Sequence, residues 1–474
     1  MSDSLTNQPR LTFSGGTLLL TGVSQAMVRR QPEWMAMGAT WDHRESAWRC
    51  DALYHQAVKK LLKHLPISVQ DAVLQDTPIV WPCDRMPELR DEQTRAVRAW
   101  AGQGQGVIVM PTGTGKTEVA LAIMAQTAVS TLVVAPVRDL MYQWHRRILE
   151  RLGYDAGVIG DNVFRVRPVS VTTYDSAYLH MDRLGNRFAL VIFDECHHLP
   201  GPQRRDAARM SAARYRLGLT ATPQRSDGRH TDLPWLIGPT VYDLPLSAAT
   251  GKTLADYDVI RIPVYLSPDE QARYNQYSDI VRRYVHQQRQ ENPEFTWKEL
   301  CAQTATTPAA RSAMKAFRAR QAIEDRATEK LRVVEDLFRL HVGEPCLIFA
   351  GSNVMAREVS RRFLVPCLLN HCGKKERLEV LEGLANGTYP ALVANQVLDE
   401  GVDLPAVKVA MVIGGSSSSR QAKQRLGRIL RRQGDRRARL YEIVCVDTRD
   451  EKRSRDRRRS DAYAQTKHRR KPDR

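Results

Sequence analysis

The residues best suited to chemistry begin at Val107-Ile-Val-Met-Pro-Thr-Gly-Thr-Gly-Lys-Thr117, where an apolar run enters a glycine-containing loop and a helical pattern follows from Glu118. Gly113 and Gly115 let the backbone turn so that its N–H groups face phosphate oxygens. The helix N-terminus that follows adds partial positive charge. Pro111, Thr112, Gly113, Thr114 and Gly115 form an expected nucleotide cradle. Lys116 would reach the β- and γ-phosphates, and the Thr117 hydroxyl would ligate Mg²⁺. Such a loop serves kinases, GTPases and motors alike, so the residues downstream must narrow the chemistry. Leu190-Val-Ile-Phe-Asp-Glu-Cys-His-His198 places Asp194 and Glu195 at the carboxyl end of an apolar strand pattern, where open α/β sheets hold their ligands. Asp194 is suited to holding Mg²⁺, and Glu195 to orienting and deprotonating an attacking water. His197 and His198 read as polar coupling residues, because no third metal ligand accompanies them. Thr220 and Thr222, in Leu219-Thr-Ala-Thr-Pro223, are placed to sense the acidic pair through their hydroxyls.

A second group lies near the end of the chain. Gln424-Arg-Leu-Gly-Arg-Ile-Leu-Arg431 sets Gln424, Arg428 and Arg431 within reach of one helical face. An arginine supplied across a cleft stabilises charge on a transferring phosphoryl group. Upstream, Gln396-Val-Leu-Asp-Glu-Gly-Val-Asp-Leu-Pro405 supplies a turn with Gly401 and Asp403, assigned to the same nucleotide site. The combined expectation is an ATP-hydrolysing enzyme whose cleft closes on ATP and opens after hydrolysis.

These residues need parallel strands behind them. Val107–Met110, Thr131–Ala135 and Leu190–Phe193 are short Val- and Ile-rich runs that alternate with helical patterns, as buried parallel strands do. Leu347–Ala350, Ala391–Ala394 and Val409–Ile413 repeat the theme, predicting a second α/β unit. Between them, Asp269 to Thr328 is charged and helical in pattern. Ahead of both, Leu11 to Ala52 alternates in short bursts around Gly15-Gly16, as a small hairpin-rich unit does. A helix is predicted over Tyr54–Leu65, and the stretch holding Pro78, Pro82 and Pro87 reads as a linker. After Asp447 the chain reads as a polar, basic tail, helical at best.

The 474 residues imply several domains, and a formal net charge of +18 favours a polyanionic partner. The eight cysteines form no C-x-x-C pair, which argues against a zinc ribbon or a disulfide framework. No apolar run reaches the roughly 18 residues that span a bilayer, so a cytoplasmic protein without membrane contact is expected.

In their order, P-T-G-T-G-K-T, D-E-C-H-H, L-T-A-T, G-V-D-L-P and Q-R-L-G-R-I-L-R resemble the motif set of superfamily 2 helicases. Thr173-Tyr-Asp-Ser-Ala-Tyr178, Leu184-Gly-Asn-Arg-Phe188, Asp227-Gly-Arg-His230 and Gln396-Val-Leu-Asp-Glu-Gly401 look like the XPB family in its short archaeal and bacterial form. The similarity runs from about Leu89 to Val446 and more faintly through the N-terminal unit. It implies two RecA-like domains, ATP with Mg²⁺, a DNA substrate and 3′→5′ polarity. It also implies a damage-recognition-like N-terminal domain and a thumb-like helical insert. The resulting division is 1–80 for the N-terminal α+β domain, 81–247 for the ATP-binding RecA-like domain, 248–448 for its partner with an insert at about 268–328, and 449–474 for the tail.

Further roles come from the resemblance alone. Gln93 matches the glutamine that reads adenine. Gln143, next to Trp144, stands at a DNA-backbone motif, and Thr173, Arg225 and Asp227 complete the expected DNA contacts. The family's Arg-Glu-Asp wedge is here Arg225-Ser226-Asp227, which keeps open a translocase that does not separate strands. Ala394-Asn395 lacks the hydroxyl expected for a phosphate contact, so Asn395 is left to serve instead. The expected partners are DNA, reached by a monomer acting at the nucleoid, and a separate nuclease or repair protein.

Overall fold

The computed structural model describes residues 8–225, 227–250, 257–369, 371–395, 407–415 and 437–458. The chain divides into two compact units, Met1–Pro245 and Leu246–Arg474.

The first unit holds two sheets. The smaller has five strands in the order Thr40–Asp42, Ala47–Asp51, Thr17–Thr21, Arg10–Ser14 and Gln70–Asp71. Ser14 pairs with Thr17 across Gly15-Gly16, whose φ values of +54° and +81° suit a tight hairpin that only glycine enters without strain. Leu11, Leu18, Leu20, Val28, Trp34 and Val58 close a core of their own beneath it. The predicted helix is present over His55–Leu62, behind a 3₁₀ turn at Ala52–Tyr54. This small domain is fastened to the rest of its unit. Arg209 forms a bidentate pair with Asp51 at 2.9 and 3.2 Å. Buried His55 reaches the Asp71 carboxylate at 3.1 Å and the Ala212 carbonyl at 3.2 Å.

The expected linker is instead a strap along the larger sheet. Its prolines cannot donate, but Ile79, Cys83 and Arg85 do, to Ala128, Leu152 and Arg151 carbonyls at 2.8, 3.3 and 2.8 Å. Residues 1–80 and 81–245 accordingly form one compact unit.

The larger sheet has eight strands: Thr240–Asp243, Gln105–Val109, Tyr215–Thr220, Leu190–Asp194, Thr131–Ala135, Val169–Thr173, Gly157–Gly160 and Val163–Arg165. All neighbours are parallel except the last pair. The strands that carry the phosphate loop and the acidic pair are separated by one strand, and that strand ends in Thr220. With adjacent strands about 4.8 Å apart, this order brings three sequence-distant motifs to one sheet edge.

The second unit is a six-stranded parallel sheet in the order Tyr257–Val264, Ala438–Cys445, Val409–Val412, Cys346–Phe349, Ala391–Ala394 and Cys367–Leu368. The insert forms the helices Pro268–Glu291, Trp297–Gln303 and Pro308–Asp325, packed on Tyr284, Phe295, Leu300, Ala310 and Ala313. Ser267 caps the first helix with Glu270 in a capping box. Glu270 also accepts from the Thr328 N–H at 3.2 Å, which ties the two ends of the insert together.

The segment expected as a tail departs from the sequence reading. Arg449–Arg458 is a helix set into the unit. Asp450 takes the fully buried Lys330 ammonium at 2.7 Å, while Ser454 and Arg457 donate to buried Glu442 at 2.8 and 2.7 Å. Charge count misleads because three of these polar residues have buried partners, Lys330 120 residues upstream and Glu442 on the preceding strand. Residues 459–474 lie outside the described set.

Candidate functional site

The phosphate loop is set by its neighbours before any ligand arrives. Gly113 and Gly115 have φ of +87° and +84°, left-handed conformations open to glycine. Gly115 precedes the helix Lys116–Thr127, directing that helix's N-terminus at the loop. Thr114 is fully buried and donates to the Pro111 carbonyl at 2.7 Å. Arg90 and Gln93, which start the helix Asp91–Ala101, donate to the Thr114 carbonyl at 2.6 and 3.0 Å. A Cβ on Gly115 would lie 2.3 Å from Gln93 Nε2, so the loop and this glutamine are packed as one piece. Gln93 Oε1 accepts from the Arg90 N–H at 3.0 Å, and its amide is thereby engaged at both ends.

Lys116 and Glu195 meet across the sheet edge, with Nζ 3.5 Å from Oε1. Glu195 is a non-glycine residue at φ +45°, a costly conformation held by its surroundings. Asp194 is buried beside it. Its Oδ1 accepts from the Glu195 N–H at 3.0 Å, and its Oδ2 accepts from the Trp144 indole N–H at 2.8 Å. Burial pushes the Asp194 carboxyl up to about 6, and the Glu195 charge pushes the same way, while Trp144 and Lys116 oppose them. A half-buried Thr117 hydroxyl and a buried carboxylate make a hard-oxygen donor set suited to Mg²⁺.

A polar chain leads away from this pair. His197 is buried, with Nδ1 3.4 Å from Glu195 and 3.1 Å from Thr220 Oγ1. Thr220 Oγ1 donates to the Thr222 carbonyl and accepts from the Thr222 N–H, both at 3.1 Å. Arg225 Nη1 donates to the His197 carbonyl at 2.6 Å, and its other nitrogens grip Asp227 at 2.8 and 2.7 Å. Glu195, His197, Arg225 and Asp227 are thus connected in sequence through the site.

Among the other expected residues, Gln143 is half-buried on the helix Arg138–Leu152. Thr173 caps the helix Tyr174–Leu184 by accepting from the Ser176 N–H, and its hydroxyl lies 3.1 Å from Ser176 Oγ. Asn395 donates to Asn353 at 2.8 Å. Ser226, Gly401, Asp403, Gln424, Arg428 and Arg431 lie outside the described residues.

Two residues at the site escaped the sequence reading. The sequence places Trp144 only beside a DNA-backbone motif and gives no role to Tyr174, whose hydroxyl donates to the Asp194 carbonyl at 2.9 Å. A tryptophan on the buried stripe of an amphipathic helix looks like ordinary core. Its N–H must find a partner when buried, and that requirement is the available signal.

Residues 86–225 match the family "Type III restriction enzyme, res subunit", and residues 329–433 match "Helicase conserved C-terminal domain". A crystal structure of the Hef helicase domain from Pyrococcus furiosus shares the fold, with a TM-score of 0.52 at 15% identity over 78% of this chain and 98% of that one. The fold is thus that of a helicase built from parallel-sheet α/β domains.

Residues 11–73 match "Xeroderma pigmentosum group B helicase damage recognition domain". The protein named "DNA 3'-5' translocase XPB2" of Sulfurisphaera tokodaii is 37% identical over 424 residues, which cover 89% of this chain and 96% of that relative. "DNA 3'-5' helicase XPB" of Mycobacterium tuberculosis is 29% identical over 378 residues, 77% of this chain and 62% of its own length. The chain belongs to the XPB helicase family.

Proposed function

We propose that this chain is an ATP-dependent 3′→5′ DNA helicase or translocase of the XPB type, acting in DNA repair. The observation that carries the hydrolytic part is the meeting of Lys116 with Glu195 at one sheet edge, next to buried Asp194. Lys116 neutralises the β- and γ-phosphates of bound ATP, and the loop N–H groups hold their oxygens. Glu195 orients water for attack on the γ-phosphorus and takes its proton. Thr117 and Asp194 would hold Mg²⁺, which would supply charge neutralisation when bound. Gln93 is the proposed adenine reader, and its engagement with Thr114 and Arg90 couples base recognition to loop shape. Gln424, Arg428, Arg431, Gly401 and Asp403 are proposed to complete the nucleotide site.

DNA is the proposed track, and the names of the relatives and the +18 net charge both support it. Gln143, Thr173, Arg225 and Asp227 are its proposed contacts. The chain Glu195–His197–Arg225–Asp227 then offers a route by which a load at Arg225 alters the attacking-water position. The protein is proposed to act as a monomer at the nucleoid, with cutting left to a separate nuclease partner. Among the described residues no helix is long and apolar enough to cross a membrane.

Ser226, in place of a wedge glutamate, favours a second reading, a duplex translocase that does not separate strands. Strand release from 3′-tailed but not 5′-tailed duplexes, at the expense of ATP, is the result expected of the helicase. ATP-driven displacement of a bound triplex strand without unwinding identifies the translocase, and neither activity refutes both.

Trp144 gives a separate prediction. Trp144→Phe keeps an aromatic ring but removes the donor to Asp194. A hydrogen bond to a charged group is worth roughly 1.5–3 kcal/mol, so turnover should fall by roughly tenfold to a hundredfold. The Mg²⁺ concentration needed for half-maximal nucleotide binding should rise, while metal-free nucleotide binding stays the same. An unchanged Mg²⁺ requirement would reduce Trp144 to packing.

A further inference from the structure

A recess of about 220 Å³ lies wholly within the second unit, between the last helix of the insert and the helix Arg449–Arg458. One helix contributes Phe317, Arg320 and Glu324, at spacings that share a face. The other contributes Arg449, Lys452, Arg453 and Asp456, again on one face. Cations outnumber carboxylates, and Glu324 is already spent. It accepts from Tyr274 at 2.9 Å, from the Arg449 N–H at 3.1 Å and from Arg453 at 2.5 Å.

Arg453 also pairs with Asp450 at 3.4 Å, and Asp456 is the second carboxylate of the lining, so four cations face two carboxylates. Arg320 is only 6% exposed, and no described residue accepts a hydrogen bond from its guanidinium, which lies 5.4 Å from the Phe317 ring centre. Burial and the neighbouring Arg449 and Arg453 charges hold its proton less tightly than usual, with Tyr274 and Glu324 opposing. Arg453 Nε is buried with no partner. Arg449 and Lys452 are exposed and form no ion pair among the described residues. Buried donors without acceptors cost stability unless an anion satisfies them. Guanidinium groups fit phosphate oxygens in shape as well as charge.

We propose that this recess is a phosphate-binding site, with Arg320 and Arg453 as its floor and Arg449 and Lys452 as its rim. Occupied by one phosphodiester, it anchors DNA to the second unit at a point distinct from the nucleotide loop. That source rests on the DNA reading above. Free phosphate offers the same chemistry and is the other source.

The test compares the full chain with Arg449→Ala/Lys452→Ala, in which both changes are at exposed positions outside the ATP machinery. The control is Arg318→Ala/Arg455→Ala, which removes the same charge from the same two helices at exposed positions off the recess. Each phosphate contact contributes about 0.9 to the slope of log affinity against log salt. For the recess variant, the affinity lost between 50 and 200 mM NaCl should therefore be smaller by about 3.5-fold, with the control matching the wild type. DNA-free ATP turnover should be the same in all three.

A second arm uses inorganic phosphate in a Lys116→Ala background, where the nucleotide loop is disabled. A phosphate-dependent rise in melting temperature that disappears on adding the two recess substitutions, with salt slopes unchanged, assigns the site to free phosphate. Equal salt slopes together with no phosphate-dependent stabilisation overturn the proposal. So does an equal slope change in recess variant and control, which would mean diffuse charge. If the wild type binds no DNA at all, the DNA reading fails, while the phosphate arm still decides the recess.

Discussion

Glu195→Gln should bind ATP and DNA normally yet turn over roughly 10²–10⁴ times more slowly than the wild type. The amide keeps the size of the side chain and can still hold water, but it cannot accept the proton. The substitution also removes the negative charge that faces Lys116 at 3.5 Å and raises the Asp194 carboxyl. Relief of that repulsion should leave nucleotide affinity equal or better, so the loss appears in kcat and not in KM. Single-turnover hydrolysis alongside equilibrium binding of a labelled nucleotide separates the two. Loss of binding in proportion to loss of turnover would show Glu195 to be structural, and an unchanged rate would remove it from the mechanism.

Lys330→Ala should destabilise the second unit by roughly 3–5 kcal/mol, the usual cost of breaking a buried ion pair from one side. Lys330 and Asp450 are 0% and 1% exposed, and no water can replace the lost partner without entering the core. Burial opposes the charge on Lys330, but the Asp450 carboxylate more than restores it and holds the ammonium above its ordinary range. Asp450 also accepts from the Cys445 N–H at 3.2 Å, so the damage should reach the strand Ala438–Cys445. Hydrogen exchange should show that strand losing protection. A paired truncation sharpens the result. Ending the chain after Asp447 strands both Lys330 and Glu442, whereas ending it after Arg458 keeps their partners. The first should unfold the unit and the second should not. Equal stability of the two truncations would restore the view of Arg449–Arg458 as a dispensable tail.

The motor was legible in sequence because its parts are local. Glycines that permit one loop, a lysine after them, and a carboxylate pair at the end of an apolar run each announce themselves within ten residues. The apolar runs Val107–Met110 and Leu190–Phe193 could hardly be anything but buried strands, and their order in the sheet explains how Lys116 meets Glu195. What stayed hidden depends on distant partners. Trp144 stands in sequence only beside a DNA-backbone motif, whereas its indole bonds Asp194, 50 residues away. The proline strap looked like a linker because the donors that fasten it lie between the prolines. Arg449–Arg458 reads as solvated charge, since nothing local reveals that Lys330 and Glu442 are buried beneath it. Gln424, Arg428 and Arg431 are legible in sequence, but they lie outside the described residues.

In the proposed mechanism, ATP hydrolysis at Lys116 and Glu195 is coupled to DNA. Steady-state ATP turnover by the full chain, with and without saturating DNA, measures that coupling. Turnover should rise severalfold on adding DNA and should not rise in Lys116→Ala. Identical rates with and without DNA, from protein shown to bind both ligands, would refute the coupling.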